Sequence, residues 1–540
     1  MQNPKAKEII KHYESLKEIR SPYESTWDDI TDLVVPNRNK FIDSQTDYQP
    51  DTELYDSTAV QSNEYLAATL LNGLVNQETK WFDMEFKDRE VNELPEARLV
   101  LEQRADLMYD LFNSAASGFY TNISEMFLDL SAYGTAAMEV FYVPGEGIRY
   151  KAIHLSQLYI ATDKSGFVDT VYRKFKFTAR QAAQMWGANN LTKSMKDAID
   201  DSPHKKFEII RCVKPEESFG KKYRTGQRFY SAYISVEDCE IISEGGLKHF
   251  PYVVPRWTKL TNEDYGRSPS WTALPDILMV QAMEMSILEV AQKVSDPQLL
   301  VADDGVMLPI NPEAGGLIFG GIDPVTGRAR VQPLNSGGNV QIYDAFLERK
   351  KESIRRAFYN NALSLQNLPQ MTAEEVIARR DEDFRTLAPN ANRVIQEALD
   401  PLIWTTYNLM KENGMFPEAD IPELKGRKLS VRMMSPLART AKLQEVGAFN
   451  RMINTALIPL ANIDPSVTDK INIDRTFEEL ARDLGVPLSM LNTPAEYAAI
   501  QEEKRLQQEM QMQMAMAAQA DQAEAQVSQN NEGPEDDGEL

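Results

Sequence analysis

Arg349, Lys350, Lys351, Arg355 and Arg356 place five positive charges within eight residues of a 540-residue chain whose formal net charge is −23. Side chains of this type suit phosphate. Their contacts to a nucleic-acid backbone are independent of sequence, each releases a counterion, and a handful of them dominates binding. The same spacing admits a quieter use, because Glu348 reaches Lys351, and Glu352 reaches Arg355 and Arg356, at the i,i+3 and i,i+4 positions where helix side chains meet. The five charges therefore either face a polyanion or tie down carboxylates, in this chain or in a neighbouring copy. They run into an uncharged segment, Asn360 to Met371. Its Asn360, Asn361, Ser364, Gln366, Asn367 and Gln370 offer neutral hydrogen-bonding groups, which position a backbone without reading its bases.

Other chemistry is thinly represented. The chain has no GxxxxGK[ST] to cradle nucleotide phosphates, no HExxH and no GxSxG. Its four histidines, His12, His154, His204 and His249, are far apart, and His154 and His249 flank strand-like runs as surface or satisfied core residues. Asp303-Asp304 carries little weight as a cation site among 81 carboxylates. Gly315-Gly316 and Gly320-Gly321 open no helix and read as turns. Cys212 and Cys239 are too few for a disulfide framework and read as free thiols in a reducing compartment. These readings assign no catalytic residue, no metal ligand and no cofactor. The methionines of 509–516 (EMQMQMAM) suit an adaptable binding face, or a helix packed on its neighbours or partly frayed.

The elements that must position these groups follow from periodicity. At 540 residues, with 42% hydrophobic and 26% charged side chains, the chain supports more than one domain of an ordinary soluble kind. No apolar run approaches the ~20 residues a membrane span needs, and the charged N-terminus lacks a signal-peptide core, so a soluble cytoplasmic protein is expected. Ile9, Ile10, Tyr13, Leu16 and Ile19 recur at helical spacing. Ser21-Pro22 then reads as the start of a second helix that ends before Pro36. Helices are predicted over 57–75 and 94–112, with the alternating strand WFDMEF between them. From about residue 136 a series of strands follows: AAMEVFYV, RYKAIH, QLYIAT, FVDTVYRKFKF, FEIIRCV, YSAYISV and CEIIS. One helix, ARQAAQMW, interrupts them, capped by Thr178. A long apolar helix is predicted from Ser268 to Val294, then a Gly/Pro-rich tip, and then the basic helix returning from near Tyr343. Thr372 with Glu375 forms a capping box, and the helix it opens is expected to break at Pro389 and end at Gly414. Ser435-Pro436 and Thr493-Pro494 open further helices, and the last twenty residues hold seven acidic and no basic side chains, reading as a solvated disordered tail. The fold class expected is α+β and mainly helical.

In this order the elements resemble the portal (head-to-tail connector) proteins of short-tailed, podovirus-type bacteriophages. The resemblance is carried by the N-terminal helix with SPYES, by FPYVVPRWTKLTNEDYGRSPSW leading into a long helix, and by MTAEEVIARRDEDF after the neutral loop. It implies a portal fold of wing, stem, clip and crown assembled as a ring. Mapped here, it implies a wing at 1–265, an outgoing stem helix at 266–294, a clip at 295–342 and a returning stem helix at 343–359. A tunnel loop would then occupy 360–371, a wing/crown helix 372–430, a crown 431–500, and a barrel-like extension with the acidic tail 501–540.

The function implied is a ring of about a dozen copies at one capsid vertex. Such a ring is the conduit for double-stranded DNA during packaging and ejection, and the platform for the terminase motor and then the tail. Its implied partners are further copies of the chain, double-stranded DNA, the terminase large subunit, major capsid and scaffolding proteins, and tail adaptor and internal head proteins, with no membrane. Assembly in the host cytoplasm would place it at the portal vertex of the virion. It would not be an enzyme. The alternative from another class is a nucleic-acid-processing enzyme using carboxylate-bound metal, with which an acidic, histidine-poor chain is compatible.

Overall fold

The N-terminal pattern becomes one helix, α1 (Pro4–Val34), where two were expected. Pro22 lies inside it, although a proline removes a helical donor and crowds the preceding turn. Tertiary contacts on both sides hold the helical path. Buried Arg20 donates to Glu24 at 2.8 Å and to the carbonyls of Leu155, Ser156 and Leu158 at 3.1, 3.1 and 2.8 Å. Past the proline, Trp27 Nε1 donates to the Tyr133 carbonyl at 3.3 Å.

The structure, a computed structural model, describes residues 3–36, 53–87, 95–216, 227–295, 340–360, 386–417, 429–434 and 499–514, with short pieces at 299–301, 327–329 and 331–333 and a few scattered positions. The chain divides into two compact units. One comprises Met1–Phe82, Arg104–Glu418 and Ser435–Thr440; the other comprises Asp83–Gln103, Ala419–Met434 and Ala441–Leu540.

In the first unit, α2 (Thr58–Leu74) and the last part of α3 (Pro95–Asn113) match the expected helices. A further helix, α4 (Phe119–Tyr133), was not expected from the sequence. It carries no polar cap and is bounded by left-handed glycines, Gly118 and Gly134. The predicted strands form as expected. β2 (Ala137–Val143) pairs antiparallel with β3 (Gly147–Ile153) and with β9 (Tyr252–Val253). A five-stranded antiparallel sheet runs in chain order through β4 (Leu158–Thr162), β5 (Val168–Thr178), β6 (Lys206–Pro215), β7 (Phe229–Ser235) and β8 (Glu240–Leu247).

Alternation decides what covers this sheet. Tyr172, Ile210, Cys212 and Ile234 cluster with Ala6, Ile9, Tyr13 and Leu16 of α1. Residues of opposite parity, Phe175, Phe207 and Ile209, cluster with α5 (Ala179–Trp186) and α6 (Lys193–Asp201). Thr178 caps α5 in a full capping box with Gln181. The insertion thus contains two helices where one was expected, since short α6 buries only Met195 and Ala198 and leaves a weak periodic signal. Glu139 of β2 is buried between Arg173 of β5, at 3.0 Å, and Arg211 of β6, joining the two sheets by charge.

α7 (Pro269–Ser295) and α8 (Val340–Ala357) are the outgoing and returning helices, within two or three residues of their expected ends. Between them the described residues show the short antiparallel pair β10 (Leu299–Val301) and β11 (Val331–Pro333). The helical run described from 386 passes through Pro389, where a break was expected. The irregularity comes later, as a π-turn at Ile395–Leu399 ahead of Pro401 in α9 (Asp400–Glu412). A widened turn relieves the crowding a proline imposes on the carbonyl before it. Gly414, at φ 65°, ends α9 as expected, with Met415 N donating to Met410 O at 2.9 Å.

In the second unit, Asp83–Phe86 of β1 (Phe82–Phe86) lies beside β12 (Leu429–Met433), and Arg432 meets Glu85 at 2.9 Å. Residues 499–514 are helical and exposed, including Leu506, Met510, Met512 and Met514, so these three methionines do not pack on neighbours among the described residues. The box Thr372–Glu375, the loop 361–371, most of 295–342 and 431–500, and the acidic tail lie outside the described residues. Among the described residues no helix is long and apolar enough to cross a membrane.

Candidate nucleic-acid interface

The basic stretch forms the C-terminal half of α8, and its five cations divide by the direction the helix gives them. Leu347, Ile354 and Phe358 are buried on one side, and Lys350 and Lys351 flank that side. Lys350 Nζ donates to Asp276 of α7 at 2.8 Å, and the same carboxylate accepts from Ser353 Oγ at 2.7 Å. Lys351 Nζ lies 2.7 Å from Glu284 of α7 and 2.7 Å from Asp56, just ahead of α2. Gln281 completes this junction. Its Oε1 accepts from the backbone N–H of Tyr55 at 2.8 Å and of Asp56 at 3.1 Å, while its Nε2 donates to the Asp56 carbonyl at 2.7 Å.

The electrostatics agree with the distances. Burial alone would raise Asp56, but hydrogen bonds from Lys351 and Thr58 outweigh it and hold the carboxyl below its ordinary value. The hydrogen bonds from Lys350 and then Ser353 hold Asp276 down. Burial works against the Lys351 ammonium, yet its two carboxylate partners raise it above the usual lysine value. A lysine that holds two carboxylates in this way locks three helices together.

The other three cations look elsewhere. Arg355 donates to Glu348 at 2.7 Å, with Glu352 at 3.7 Å, and the Glu348 hydrogen bond raises its pKa. The Glu348–Lys351 pairing expected from spacing is thus replaced: Glu348 pairs two turns away with Arg355, because Lys351 is occupied by partners from other elements. Arg356 meets Glu352 at a loose 3.5 Å with 74% of its side chain exposed. Arg349 is exposed and forms no ion pair among the described residues. Of the neutral candidates, Asn360 is described: its Nδ2 donates to Ser62 Oγ of α2 at 3.4 Å. Asn361, Ser364, Gln366, Asn367 and Gln370 lie outside the described residues.

Sequence reasoning missed Asp56, Asp276, Gln281 and Glu284. A signal was present for two of them: Asp276 and Glu284 are the first two charges of a largely apolar helix and stand eight residues, a little over two turns, apart. It also missed the support beneath the helix pair. Tyr359, directly after α8, adopts φ 59°, its hydroxyl accepts from Asn390 Nδ2 at 3.2 Å, and Trp257 lies beside its ring. One residue before Trp257, buried Arg256 donates to both carboxylate oxygens of Glu397, from Nε and Nη2 at 2.9 Å each, and to the Gly166 carbonyl at 2.8 Å. Glu397 sits on the π-turn, which orients it toward this arginine.

The histidines play no part in this interface. His154 is buried with Nδ1 2.8 Å from Ser156 Oγ, and burial lowers its pKa to about 3, as befits a neutral core residue. His249 lies 3.1 Å from Glu412. Among the described residues no three His, Cys, Asp or Glu side chains group as a metal would require. What the arrangement offers chemically is a rigid helix pair whose outer face carries loosely held guanidinium groups.

Comparison with known proteins gives concordant results. The family model described as bacteriophage head to tail connecting protein matches residues 6–491. The portal protein of Salmonella phage epsilon15 is 24% identical over 512 residues, covering 92% of this chain and 91% of that protein. The probable portal protein of Bordetella phage BPP-1 is 25% identical over 511 residues, covering 93% and 91%. Among solved structures, the virion of a native gene transfer agent particle matches with 10% identity over 74% of this chain and 86% of that one, at a TM-score of 0.38, too loose a likeness to bear on the fold.

Proposed function

The chain belongs to the family of bacteriophage head to tail connecting proteins, the phage portals, and on that premise we propose how its helices serve the passage of a genome. A portal is a structural component of the virion at the junction of head and tail, and the route by which the genome is packaged. The reading offered for this chain is a closed ring of about a dozen copies, since head-to-tail contacts between wedge-shaped chains close by rotation. Residues 1–265 would form its wing, α7 and α8 its stem, 295–342 its clip, 360–371 a loop narrowing the channel, 372–430 a wing/crown helix, 431–500 its crown, and 501–540 a helical extension and tail. Double-stranded DNA would pass along the stem. The terminase large subunit and then a tail adaptor would dock at the clip, while capsid, scaffolding and internal head proteins would meet the wing and crown. Assembly in the host cytoplasm belongs to the same proposal.

The observation that carries this reading is the family match over residues 6–491, because it spans every element from α1 to beyond α9. The site residues follow from charge. The acidic chain, at −23 per copy, repels a duplex and keeps it centred, and the cations of α8 supply the weak backbone contacts. Lys350, Lys351 and Arg355 already have close carboxylate partners, which favours a structural role for them and leaves contact with DNA to Arg349 and Arg356. No observation favours the enzyme alternative.

Electron microscopy and light scattering of the purified protein test the proposal. Annular particles with a mass near a dozen times 61.2 kDa are expected. A single-copy species at every concentration and ionic strength would overturn the ring.

A further inference from the structure

Arg349, Glu352 and Arg356 occupy one outward face of α8: the arginines are seven residues apart, hence about 10.5 Å along the axis, with the glutamate between them at i+3 and i−4. Glu352 sits 3.5 Å from Arg356 and 3.7 Å from Arg355, longer than the 2.7–2.9 Å of a committed charged hydrogen bond. Its side chain is 35% exposed and that of Arg356 74%. Ion pairs of this exposed kind are weak and exchange readily for another anion. Arg355 has a closer partner in Glu348 at 2.7 Å, so the cation that depends on Glu352 alone is Arg356.

Resting on the reading of α8 as the face met by double-stranded DNA, we infer that Glu352 is a built-in competitor for phosphate at Arg356. It occupies the guanidinium between passing phosphates and lowers the net charge that any phosphate meets. A phosphate that displaces the carboxylate gains one contact and exposes one repelling charge, so no position along the duplex becomes a trap. Arg349, without such a partner among the described residues, supplies attraction; Arg356 with Glu352 supplies attraction that lets go. The partner is the sugar–phosphate backbone of a duplex, recognised without regard to sequence.

The test is a thermodynamic cycle on the assembled full-length protein, read by fluorescence anisotropy of a labelled duplex across a salt series, with light scattering to verify an unchanged mass. Glu352→Gln should tighten binding about two- to fivefold, the range set by an exposed ion pair. It should also steepen the dependence of log K on log salt by up to about 0.9 for each added phosphate contact. In an Arg349→Gln/Arg356→Gln background that gain should vanish, and Glu352→Asp, which keeps the charge one methylene further back, should give a smaller gain. A Glu352→Gln protein with unchanged affinity and slope, beside an arginine double variant that binds more weakly, would overturn the competitor role while leaving α8 as the DNA face. An equal gain with and without the arginines would also overturn it, since removal of any negative charge would then suffice. Absence of any effect from Glu352→Gln, Glu352→Asp and the arginine double variant alike would overturn the placement of DNA on α8 itself.

Discussion

Arg256 and Glu397 illustrate how much a single residue pair carries here. The side chains of both are nearly sealed, at 1% and 11% exposure, and the carboxylate accepts twice from the Arg256 guanidinium and once from its backbone N–H. Removing one partner of a buried pair strands the other charge and costs about 3–5 kcal/mol. Glu397→Leu should therefore lower the urea midpoint markedly, whereas Arg356→Gln should leave it nearly unchanged. Acid gives a second residue-scale prediction. Asp56 and Asp276 are held below the ordinary 3.8. Their stabilisation is complete above 3.8 and is lost as pH falls through their lower folded-state values. Lys351 is raised above 10.5, so its contribution is complete below 10.5 and is lost as pH rises through its higher folded-state value. Proteolysis at the α7–α8 junction should accordingly be flat across neutral pH and should rise in acid below 3.8. Lys351→Gln should destabilise by about 1–3 kcal/mol, since it loses hydrogen bonds to two charged groups, and should reduce the acid sensitivity. Only part of this could be seen in the sequence. Glu352 with Arg355 and Arg356 is a local spacing, whereas Lys351 with Asp56 spans nearly three hundred residues, and no periodicity connects them.

At the scale of elements, the join between α4 and α7 is the most exacting. A Cβ on Gly266 would lie 2.3 Å from the Gly134 carbonyl oxygen, and one on Gly134 would lie 2.5 Å from the Arg267 carbonyl carbon. Two backbones therefore touch where the outgoing helix begins, with Gly266 N donating to Thr135 Oγ1 at 2.8 Å and Trp257 N to Gly134 O at 2.9 Å. Gly266→Ala should reduce soluble assembled protein sharply, while Gly245→Ala, with nothing within 4 Å of its Cβ, should behave as wild type in the same expression assay. Thr178→Ala should cost about 1 kcal/mol through the lost cap of α5, measurable as a shift in denaturation midpoint. Strand positions were legible because alternation and turn residues act within a few residues: FVDTVYRKFKF and FEIIRCV needed little adjustment. Helix ends governed by distant contacts were not. Pro22 reads as a start because Arg20 and Trp27 reveal nothing in sequence of the carbonyls they reach. The helix at 119–133 hid for the opposite reason, its glycine boundaries lacking a polar cap.

The whole molecule combines strong acidity with a concentrated basic helix, and two of that helix's five cations, Lys350 and Lys351, hold it to α7, the second also to Asp56 just ahead of α2. Loss of the proposed ring in a Lys350→Gln/Lys351→Gln variant, with retention in Arg349→Gln/Arg356→Gln, would separate the two proposed uses of the cluster; size-exclusion chromatography reads the difference. The buried thiol of Cys212 has a consequence at this scale. It lies in the core between α1 and the five-stranded sheet, where burial pushes its pKa up to about 11, whereas Cys239 is only half-buried in the turn after β7. A thiol-reactive dye should consume Cys239 at once and then wait. The second, slower stoichiometric step becomes a clock for separation of the N-terminal helix from its sheet, timing how long that seam stays shut.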